Sequence, residues 1–510
     1  MDTAMQERPG GTAGGEGAAE AGGRRFSRRQ LLVAGAGGAV ALGGIGYGVA
    51  EWVGGGTTPP ASPFLSAPGL HPPAVTTTVP PAGTAPGLIF VGPGGTAYQH
   101  GPMIVDDRGE LVWFRPLATG MALNVGVQRY RGRPVLAWWQ GKVLVPGGYG
   151  EGEYPILDRS YREVARVRAG NGLMGDLHEL VLTPEGTALF TVYRTVPADL
   201  SAAGGPVHGT LRDSCFQEVD IASGRLLRQW NASDHVALDE TYRSAAGVGP
   251  DDAFDFFHIN SIDVDADGDL LISGRHTWAV YKVRRDGGDV VWRLNGKRSD
   301  FAMGPGAPFA YQHHARHHAG GLLSLFDDGG GPPDVEVESR GLMLSLDTTA
   351  MTATVVQQYL PDPSFLSTSQ GSVQVLPDGH VFVGWGAQPY WSEHAADGRL
   401  LYDARFPDGQ GSYRAFRFPW TGRPHTRPAV AVRPGVGGGT TVYASWNGAT
   451  EVARWQVLAG PAPHRLRPVA GMPHRRFEDR VTVPVRSGYV AVAAYGSGGR
   501  RLGSSVATAL

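Results

Sequence analysis

The residues most able to do chemistry stand at the two ends of one turn-containing stretch. FDFFHINSIDVDADGDLLISGRH, at 254–276, carries His258 and Asn260 near its start and ends with Arg275 and His276. A strand run that enters a tight turn and returns brings its ends together, so these polar groups are expected to meet at one rim of a hairpin. Imidazole, amide and guanidinium groups in one place suit an anion and the transfer of a proton.

Two registers are open for this hairpin. A two-residue turn centred on Asp267-Gly268 places Arg275 opposite Asn260, whereas a turn shifted back by one residue places Arg275 opposite His258. In either register His258 and Asn260 share a face, because alternate residues of a strand point the same way.

Histidines open strand-like runs at two other places. His178 begins HELVLTPEGTALF, and His313 begins the run in QHHARHHAGG. If each run is the innermost strand of a repeated unit, pseudo-symmetry brings His178, His258 and His313 to the same end of a channel. A lone histidine is most simply a cap or a satisfied core residue, but the repetition favours a site. Carboxylates are absent from these matching positions, which argues against a glycosidase-type pair.

Two patterns resemble metal sites but are better explained by strands and turns. The histidines of HHARHH at 313–318 would share an ion on a helix, but residues four apart in a strand are about 13 Å apart along its axis. A site with one histidine from each of three units stays open. DVDADG at 263–268 resembles a calcium loop, but Gly274 stands where that loop requires glutamate.

Repeated four-strand units would position these residues. The unit that contains the hairpin is predicted to have strands at 259–264, 270–275, 278–283 and 290–294, with Asp-Gly turns between them. Weaker copies give about six units at a spacing of roughly 45 to 60 residues, which is typical of a β-propeller. SYRAFRFPW, at 412–420, is predicted to close the ring against the first unit.

We therefore predict an all-β protein with two folded parts. A six-bladed β-propeller is expected at 87–421, followed by a small C-terminal β-sandwich of immunoglobulin or fibronectin type at 422–510. Residues 51–86 are rich in Pro, Thr and Gly and are predicted to form an extended linker that cannot bury enough apolar surface to fold.

The first fifty residues predict export. In 1–50, SRRQLL precedes a mildly apolar stretch rich in Gly and Ala, which resembles a twin-arginine signal; a single transmembrane anchor is the alternative. The protein is thus expected to work outside the cytoplasm, either secreted or tethered, and to contact a membrane only through such an anchor.

Composition narrows the function classes. A chain of 510 residues with 42% hydrophobic and 18% charged residues fits a globular protein of more than one domain. A net charge of −2 argues against a general nucleic-acid binder. The single cysteine, Cys215, excludes an intramolecular disulfide and is interpreted as a buried structural thiol. The sequence contains no P-loop and no GxSxG, and we expect no cofactor; the oligomeric state stays open.

Three motifs carry a family resemblance. FFHINSID with LISGRHTWAVYKV, DLHELVLTPEGT, and QHHAR followed by LLSLFDDG resemble the bacterial-type aryl sulfotransferases that do not use the nucleotide sulfate donor. The resemblance extends from about Gly87 to Trp420, and the C-terminal part is similar to that of actinobacterial members. It implies a six-bladed propeller whose channel transfers a sulfuryl group from an aryl sulfate to a phenol.

The resemblance also implies roles for the site residues. His313 would be the nucleophile of a ping-pong reaction through a sulfohistidine, and His258 would be the general acid and base. His178, Asn260 and Arg275 would hold the sulfuryl oxygens. The chemistry is sound in itself, because neutral imidazole is a competent nucleophile and fixed donors stabilise developing charge.

One position departs from the family. Relatives often have Asp after the nucleophilic histidine, as in QHDAR, whereas this chain has His314. If that Asp orients the nucleophile, Asp327 or Asp328 is expected to replace it. A turn near Ala319-Gly320 would place Asp327 opposite Gln312.

Two other functions stay open at this point. An exported, non-catalytic propeller would bind an aromatic or anionic ligand at the same rim, between Trp138, Trp139, Trp385 and Tyr390, although these residues are more simply explained as packing between blades. Metal-dependent hydrolysis or lyase chemistry would use the three histidines and would stop when a chelator removes the metal.

Overall fold

The computed structural model describes residues 60–145, 147–249 and 251–510, and strands form nearly all of its regular structure. Helical residues in these ranges are limited to four 3₁₀ turns, at Ser201–Ala203, Ala232–Asp234, Leu238–Glu240 and Val436–Gly438. None of the helices in the described ranges is long and apolar enough to cross a membrane. The all-β prediction is confirmed; the predicted signal or anchor at 1–50 lies outside the described residues.

The first part of the chain is a series of mainly antiparallel sheets. Its strands are β1 (Thr76–Val79), β2 (Leu88–Gly94), β3 (Met103–Val105), β4 (Leu111–Phe114), β5 (Met121–Tyr130), β6 (Arg133–Leu144), β7 (Tyr149–Leu157), β8 (Glu163–Val167), β9 (Gly175–Leu182), β10 (Thr187–Ala198), β11 (Gly209–Asp220), β12 (Leu226–Asn231), β13 (Ala253–Phe254), β14 (Ile259–Val264), β15 (Leu270–Gly274), β16 (Ala279–Val283), β17 (Val290–Leu294), β18 (Ala302–Met303), β19 (His313–His318), β20 (Leu322–Asp327), β21 (Arg340–Asp347), β22 (Thr352–Tyr359), β23 (Ser372–Val375), β24 (Val381–Gly384), β25 (Tyr390–His394), β26 (Leu400–Arg405) and β27 (Gly411–Phe418). Strands β14 to β17 match the predicted bounds to within one residue.

The sheets form a closed ring. The first sheet has the order β27-β2-β3-β4. The next is larger, with the order β5-β6-β7-β9-β10-β11-β12, and β8 pairs with β7 and β13 with β11. The remaining orders are β14-β15-β16-β17, β19-β20-β21-β22 with β18, and β23-β24-β25-β26 with β1. The first strands β27, β5, β9, β14, β19 and β23 contact one another in this sequence, and β23 contacts β27. Leu88 pairs with Phe418, so the end of the ring closes on its start as predicted. This is the arrangement of a β-propeller, and that prediction is confirmed.

Apolar faces between neighbouring sheets hold the ring together. Ile262, Ile272 and Tyr281 of one sheet pack in a single buried cluster with Leu189 and Phe216 of the sheet before it. Apolar area removed from water stabilises such a core by roughly 25 cal/mol per Å². The alternation of each strand thus gives one row of side chains to the core and leaves the strand ends to the channel.

Residues 60–86 differ from the predicted free linker. Thr76–Val79 pairs with Leu400–Arg405 as an added edge strand, and the Phe64 ring lies 4.4 Å from the Phe477 ring. The main-chain N–H of Ser66 also donates to Glu478. The prediction counted only the apolar surface that this segment could bury within itself, whereas the segment packs on surfaces that the rest of the chain provides.

The C-terminal part is a separate pair of sheets, β28-β29-β32 and β31-β30-β33-β34, with β35 beside β33. The strands are β28 (Ala429–Pro434), β29 (Thr440–Ser445), β30 (Arg454–Gly460), β31 (Arg467–Pro473), β32 (Glu478–Val483), β33 (Tyr489–Tyr495), β34 (Arg501–Ser504) and β35 (Thr508–Ala509). Val442, Trp455 and Val492 belong to one buried core that both sheets share. Asn447 both accepts from and donates to the main chain of Phe114, which docks this part on the propeller.

Candidate active site

The three predicted histidines come together at one end of the channel. His178 lies on β9, His258 directly precedes β14, and His313 begins β19. The ring centres of His178 and His258 are 4.9 Å apart. Tyr413, on β27, lies 5.7 Å from His178 and 6.4 Å from His313, between ring centres. All four side chains are buried, so four first strands of the ring supply one compact cluster.

A β-bulge brings the hairpin ends into the cluster. Pairing is regular near the turn, but the register shifts between Ile259 and Ser261. Beyond the shift, the N–H of Arg275 donates to the carbonyl of His258 over 3.0 Å. The alternative that placed Arg275 opposite His258 is therefore right, and the one that placed it opposite Asn260 is wrong. His258 has φ 55°, a region that residues with side chains rarely adopt, so the backbone is strained at the site.

Each of the three histidines has its own buried carboxylate. The Nδ1–oxygen distances are 2.6 Å for His178–Asp176, 2.6 Å for His258–Asp255 and 2.7 Å for His313–Asp328. An imidazole whose Nδ1–H donates to a carboxylate is held in one tautomer and one orientation, with the lone pair on Nε2. The site can therefore present three oriented Nε2 atoms.

His313 has the environment of a neutral nucleophile. Burial, reinforced by the positive charge of Arg275, holds the pKa of His313 well below its ordinary value. Asp328 orients Nδ1 of His313 and so replaces the Asp that relatives have at the position of His314. Burial raises the pKa of the Asp328 carboxyl. Asp327 instead accepts from the N–H of Ala310 and pairs with an arginine. The N–H of Gln370 donates to His313 Nε2 over 3.3 Å.

His258 has a second histidine beside it. The rings of His258 and His276 are 4.7 Å apart, and His276 Nδ1 donates to the carbonyl of Asp255 over 2.9 Å. Burial outweighs the attraction of Asp255 and lowers the pKa of His258. Ligand-type atoms of Asp255, His258 and His276 lie within 4.8 Å of one another, so these are the residues that could hold a cation.

Asn260 and Arg275 border the cluster. Asn260 Nδ2 donates to the carbonyl of Gln312 over 2.6 Å, and Arg275 donates to the carbonyl of Thr368 over 2.9 Å. The Arg275 guanidinium lies 4.7 Å from the centre of the Tyr311 ring. Asn260 Oδ1 and Arg275 Nε are buried and have no partner within the described part of the chain. Buried polar atoms of this kind are costly unless a ligand satisfies them.

Several residues at the site were not predicted. Asp176, Asp255, Gln370 and Tyr413 all contact the cluster, whereas His276 was expected at the hairpin rim without a role of its own. The first two had a local signal, since each carboxylate stands two or three residues before the histidine that it orients. Gln370 and Tyr413 had none, because only the closure of the ring brings them there.

The next residue along each strand faces a different environment. Glu179 pairs with Arg414 over 3.0 Å and with Arg316. His314, with φ 55°, accepts from the N–H of Val373 and lines a separate cavity of about 330 Å³, to which His178, His258 and His313 do not contribute. Burial holds the pKa of His314 well below its ordinary value. A layer of ion pairs therefore separates the histidine cluster from this cavity.

The suggested aromatic walls pack elsewhere. Trp138, Trp139 and Trp385 are buried in the clusters between sheets, and Tyr390 stacks on Phe365. Their packing role is confirmed. Cys215 is buried as well, and burial raises the pKa of its thiol.

Comparison with known proteins gives one family and several distant structures. A family model described as Arylsulfotransferase (ASST) matches residues 126–407. A protein of unknown function from Bacteroides caccae is similar at 13% identity over 66% of this chain and 99% of that one, with a TM-score of 0.39. A catalytically inactive virginiamycin B lyase from Staphylococcus aureus, solved with quinupristin, is similar at 7% identity over 73% and 96%, with a TM-score of 0.33. Regucalcin, a calcium-binding protein from Agrobacterium tumefaciens, is similar at 15% identity over 65% and 84%, with a TM-score of 0.32. No curated protein matches the chain.

Proposed function

Because the chain belongs to the arylsulfotransferase family and is an aryl sulfotransferase, we propose that it works by a ping-pong mechanism, carrying the sulfuryl group from an aryl sulfate to a phenol as a sulfohistidine at His313. The observation that carries this proposal is the His313–Asp328 pair. It leaves a neutral, oriented Nε2 beside two further histidines and an arginine.

The first half-reaction forms the covalent intermediate. Nε2 of His313 attacks the sulfur, the N–S bond forms and the bond from sulfur to the aryl oxygen breaks. The departing oxygen takes a proton from His258 when that imidazole is protonated, and otherwise leaves as phenolate. Splitting one transfer into two displacements at sulfur lowers the barrier of each.

The second half-reaction returns the free enzyme. Neutral His258 accepts the proton of the incoming phenol, the phenolic oxygen attacks sulfur and the N–S bond breaks. The lowered pKa of His258 keeps most of it in this basic form at neutral pH. Donors whose phenols are acidic, and so leave without a proton, fit this arrangement best.

Fixed donors would hold the sulfuryl oxygens during both steps. Arg275, Asn260 and His178 border the histidine cluster, and the N–H of Gln370 already points to Nε2 of His313. When Nε2 bonds to sulfur, this N–H is free to donate to a sulfuryl oxygen instead. Pre-oriented donors in a buried site are worth several kcal/mol each, of the order of 2.7–4 kcal/mol for one oxyanion donor.

We propose in addition a finer architecture and a location for the enzyme. The six contacting first strands support a six-bladed propeller, and the common core of the two C-terminal sheets supports a β-sandwich. The twin-arginine-like segment supports export, with the enzyme secreted or tethered outside the cytoplasm.

Mass spectrometry of the intact protein and of its peptides tests the mechanism. The chain is exposed briefly to p-nitrophenyl sulfate without acceptor, beside His313→Asn and, as a matched control, His314→Asn. We expect a sulfuryl adduct on the peptide that contains His313 in the wild type and in His314→Asn, lost on adding phenol, and none in His313→Asn. An adduct on another residue, or phenol release without an adduct, would contradict the proposed intermediate. A folded protein that neither reacts nor releases phenol with several donors would favour the binding function, and loss of turnover in a chelator would favour the Asp255–His258–His276 cation site.

A further inference from the structure

The C-terminal part carries an unusual concentration of one charge. Residues 422–510 contain twelve arginines, no lysine and three acidic residues, a formal net charge of +9, although the whole chain carries −2. All twelve arginines are exposed. The near-neutral balance of the whole chain therefore hides a strongly basic part, which is the electrostatic footprint of a partner with many negative charges.

The arginines of the two parts are used differently. About half of those of the propeller pair with carboxylates, as at Arg166, Arg194, Arg228, Arg285, Arg293, Arg298, Arg316, Arg340, Arg405, Arg414 and Arg417. Among the twelve of the described C-terminal part, only Arg423 and Arg476 pair with an acidic side chain, and Arg476 does so at 4.0 Å. The other guanidinium groups of this part keep their charge uncompensated by a carboxylate.

Two cavities are lined by some of these arginines. A cavity of about 700 Å³ is lined by Arg131, Arg133 and Arg159 of the propeller and by Arg423 of the C-terminal part. A second cavity, of about 150 Å³, shares Arg423 and adds Arg500. We call these two cavities the arginine groove. Its acidic members are already engaged, since Asp158 accepts from turn N–H groups and Glu451 pairs with Arg423.

The two parts are docked so that the groove keeps its shape. The N–H of Arg423 donates to the carbonyl of Arg159 over 2.7 Å, and the N–H of His425 donates to that of Ser160 over 3.2 Å. The Tyr161 hydroxyl donates to the carbonyl of Gly448 over 2.9 Å. Arginines from both sides are thereby held around two cavities that share Arg423.

We infer that the arginine groove, which the propeller and the C-terminal part form together, binds a linear polymer of phosphate groups. The planar fork of arginine matches the oxygens of a phosphate with two parallel hydrogen bonds, which a lysine cannot do. Two cavities that share Arg423 and present further arginines on either side fit a flexible chain with a charge at each repeat.

Two other polyanions fit the groove less well. A bilayer presents a flat surface, which attracts exposed arginines wherever they lie and does not favour those that line a cavity. Single-stranded nucleic acid needs free aromatic faces for its bases, but Tyr130, the aromatic ring of the larger groove, is buried and covered by the Arg131 guanidinium at 5.1 Å.

Binding of long-chain polyphosphate to the full chain tests this inference. Fluorescence anisotropy is measured across a salt series for the wild type and for the groove variant Arg131→Gln/Arg133→Gln/Arg159→Gln/Arg500→Gln. The matched control, Arg433→Gln/Arg465→Gln/Arg467→Gln/Arg480→Gln, removes the same charge from exposed C-terminal arginines outside the groove. Thermal unfolding and p-nitrophenyl sulfate turnover verify that each variant is folded.

The groove variant is expected to bind at least about 10-fold more weakly near 0.15 M salt, with a log–log salt slope smaller by about 3, since each lost contact to a flexible chain removes roughly 0.7. The control variant is expected to stay within about 3-fold of the wild type. Equal weakening of both variants would show general attraction and overturn the groove. Absence of polyphosphate binding, or tighter binding to phosphatidylglycerol vesicles or to single-stranded DNA of equal charge, would overturn the phosphate polymer. None of these outcomes depends on the sulfuryl-transfer mechanism.

Discussion

The histidine cluster and the ion-pair layer behind it are made of neighbouring residues but have opposite chemistry. His178, His313 and Tyr413 face the cluster, whereas the next residues, Glu179, His314 and Arg414, face the layer or the cavity beyond it. Adjacent residues of one strand therefore have different roles: one faces the candidate reaction site, and the next faces the structural ion pairs. Alternation of side chains across a strand, sharpened by the bulges, separates the two regions.

The two regions also differ in how far their polar atoms are satisfied. On the histidine side, Asn260 Oδ1, Arg275 Nε, His276 Nε2 and the Tyr413 hydroxyl are buried without partners in the described residues. In the layer, both carboxylate oxygens of Glu179 accept from arginines, although Arg414 Nε is also buried without a partner in the described residues. An unpaired buried polar group costs about 1–3 kcal/mol, so the histidine side is suited to a ligand and the layer is suited to holding the ring closed.

The largest contrast is expected between adjacent histidines. His313→Asn should lower kcat for p-nitrophenyl sulfate by at least about 10⁴-fold, as loss of a covalent nucleophile does. His314→Asn should stay within about 10-fold, because its ring faces the other cavity. Steady-state kinetics of the two purified variants check this, and similar losses in both would remove the distinction between the two faces.

The orienting carboxylate should have the next largest effect. Asp328→Asn is expected to reduce kcat by roughly 10²–10⁴-fold, because an amide no longer holds the Nδ1–H tautomer of His313. Adding His314→Asp should not restore activity, since position 314 faces away from the nucleophile. Restoration in the double variant would mean that a carboxylate at 314 can reach His313.

The ion-pair layer should act on stability rather than on chemistry. Glu179→Gln leaves Arg316 and Arg414 with a buried charge unpaired and is expected to cost about 3–5 kcal/mol of unfolding free energy. His178→Gln should cost less stability and more kcat. Urea unfolding and steady-state kinetics of both variants separate the two effects. If the Glu179→Gln protein is as stable as the wild type, the ion-pair layer does not stabilise the fold.

The smallest effect is a dependence of stability on pH. The pKa of His314 is well below its ordinary value in the folded protein, so below about pH 6.5 the unfolded chain binds a proton that the folded chain does not. The contribution of His314 to the unfolding free energy is therefore constant above about pH 6.5. Below that pH the unfolding free energy decreases as the pH falls, by up to about 1.4 kcal/mol per pH unit. His314→Gln lacks this group, so its unfolding free energy should fall less than that of the wild type between pH 7.5 and 5. Parallel curves for the two proteins would contradict the burial of a neutral imidazole.

Much of the fold was predictable because its signals are local. Alternating runs and Asp-Gly turns gave β14 to β17 almost to the residue, and the strand that closes the ring was found in the same way. The segment at 60–86 was predicted wrongly, since its packing depends on surfaces distant in sequence. The sequence left two possible partners for Arg275, because the residues of the turn do not show that a bulge lies further along the strand.

The sequence by itself determined the strand alternation, the repeated units, the five polar residues of the site and the family, because each depends on residues that are close together in the chain. Only the tertiary structure decided that Asp328 orients His313, that His314 faces the other way, and that Tyr413 and Gln370 join the cluster. These contacts join strands that meet only when the ring closes, and a bulge or a left-handed residue changes which face a side chain takes. Local sequence patterns do not encode either event.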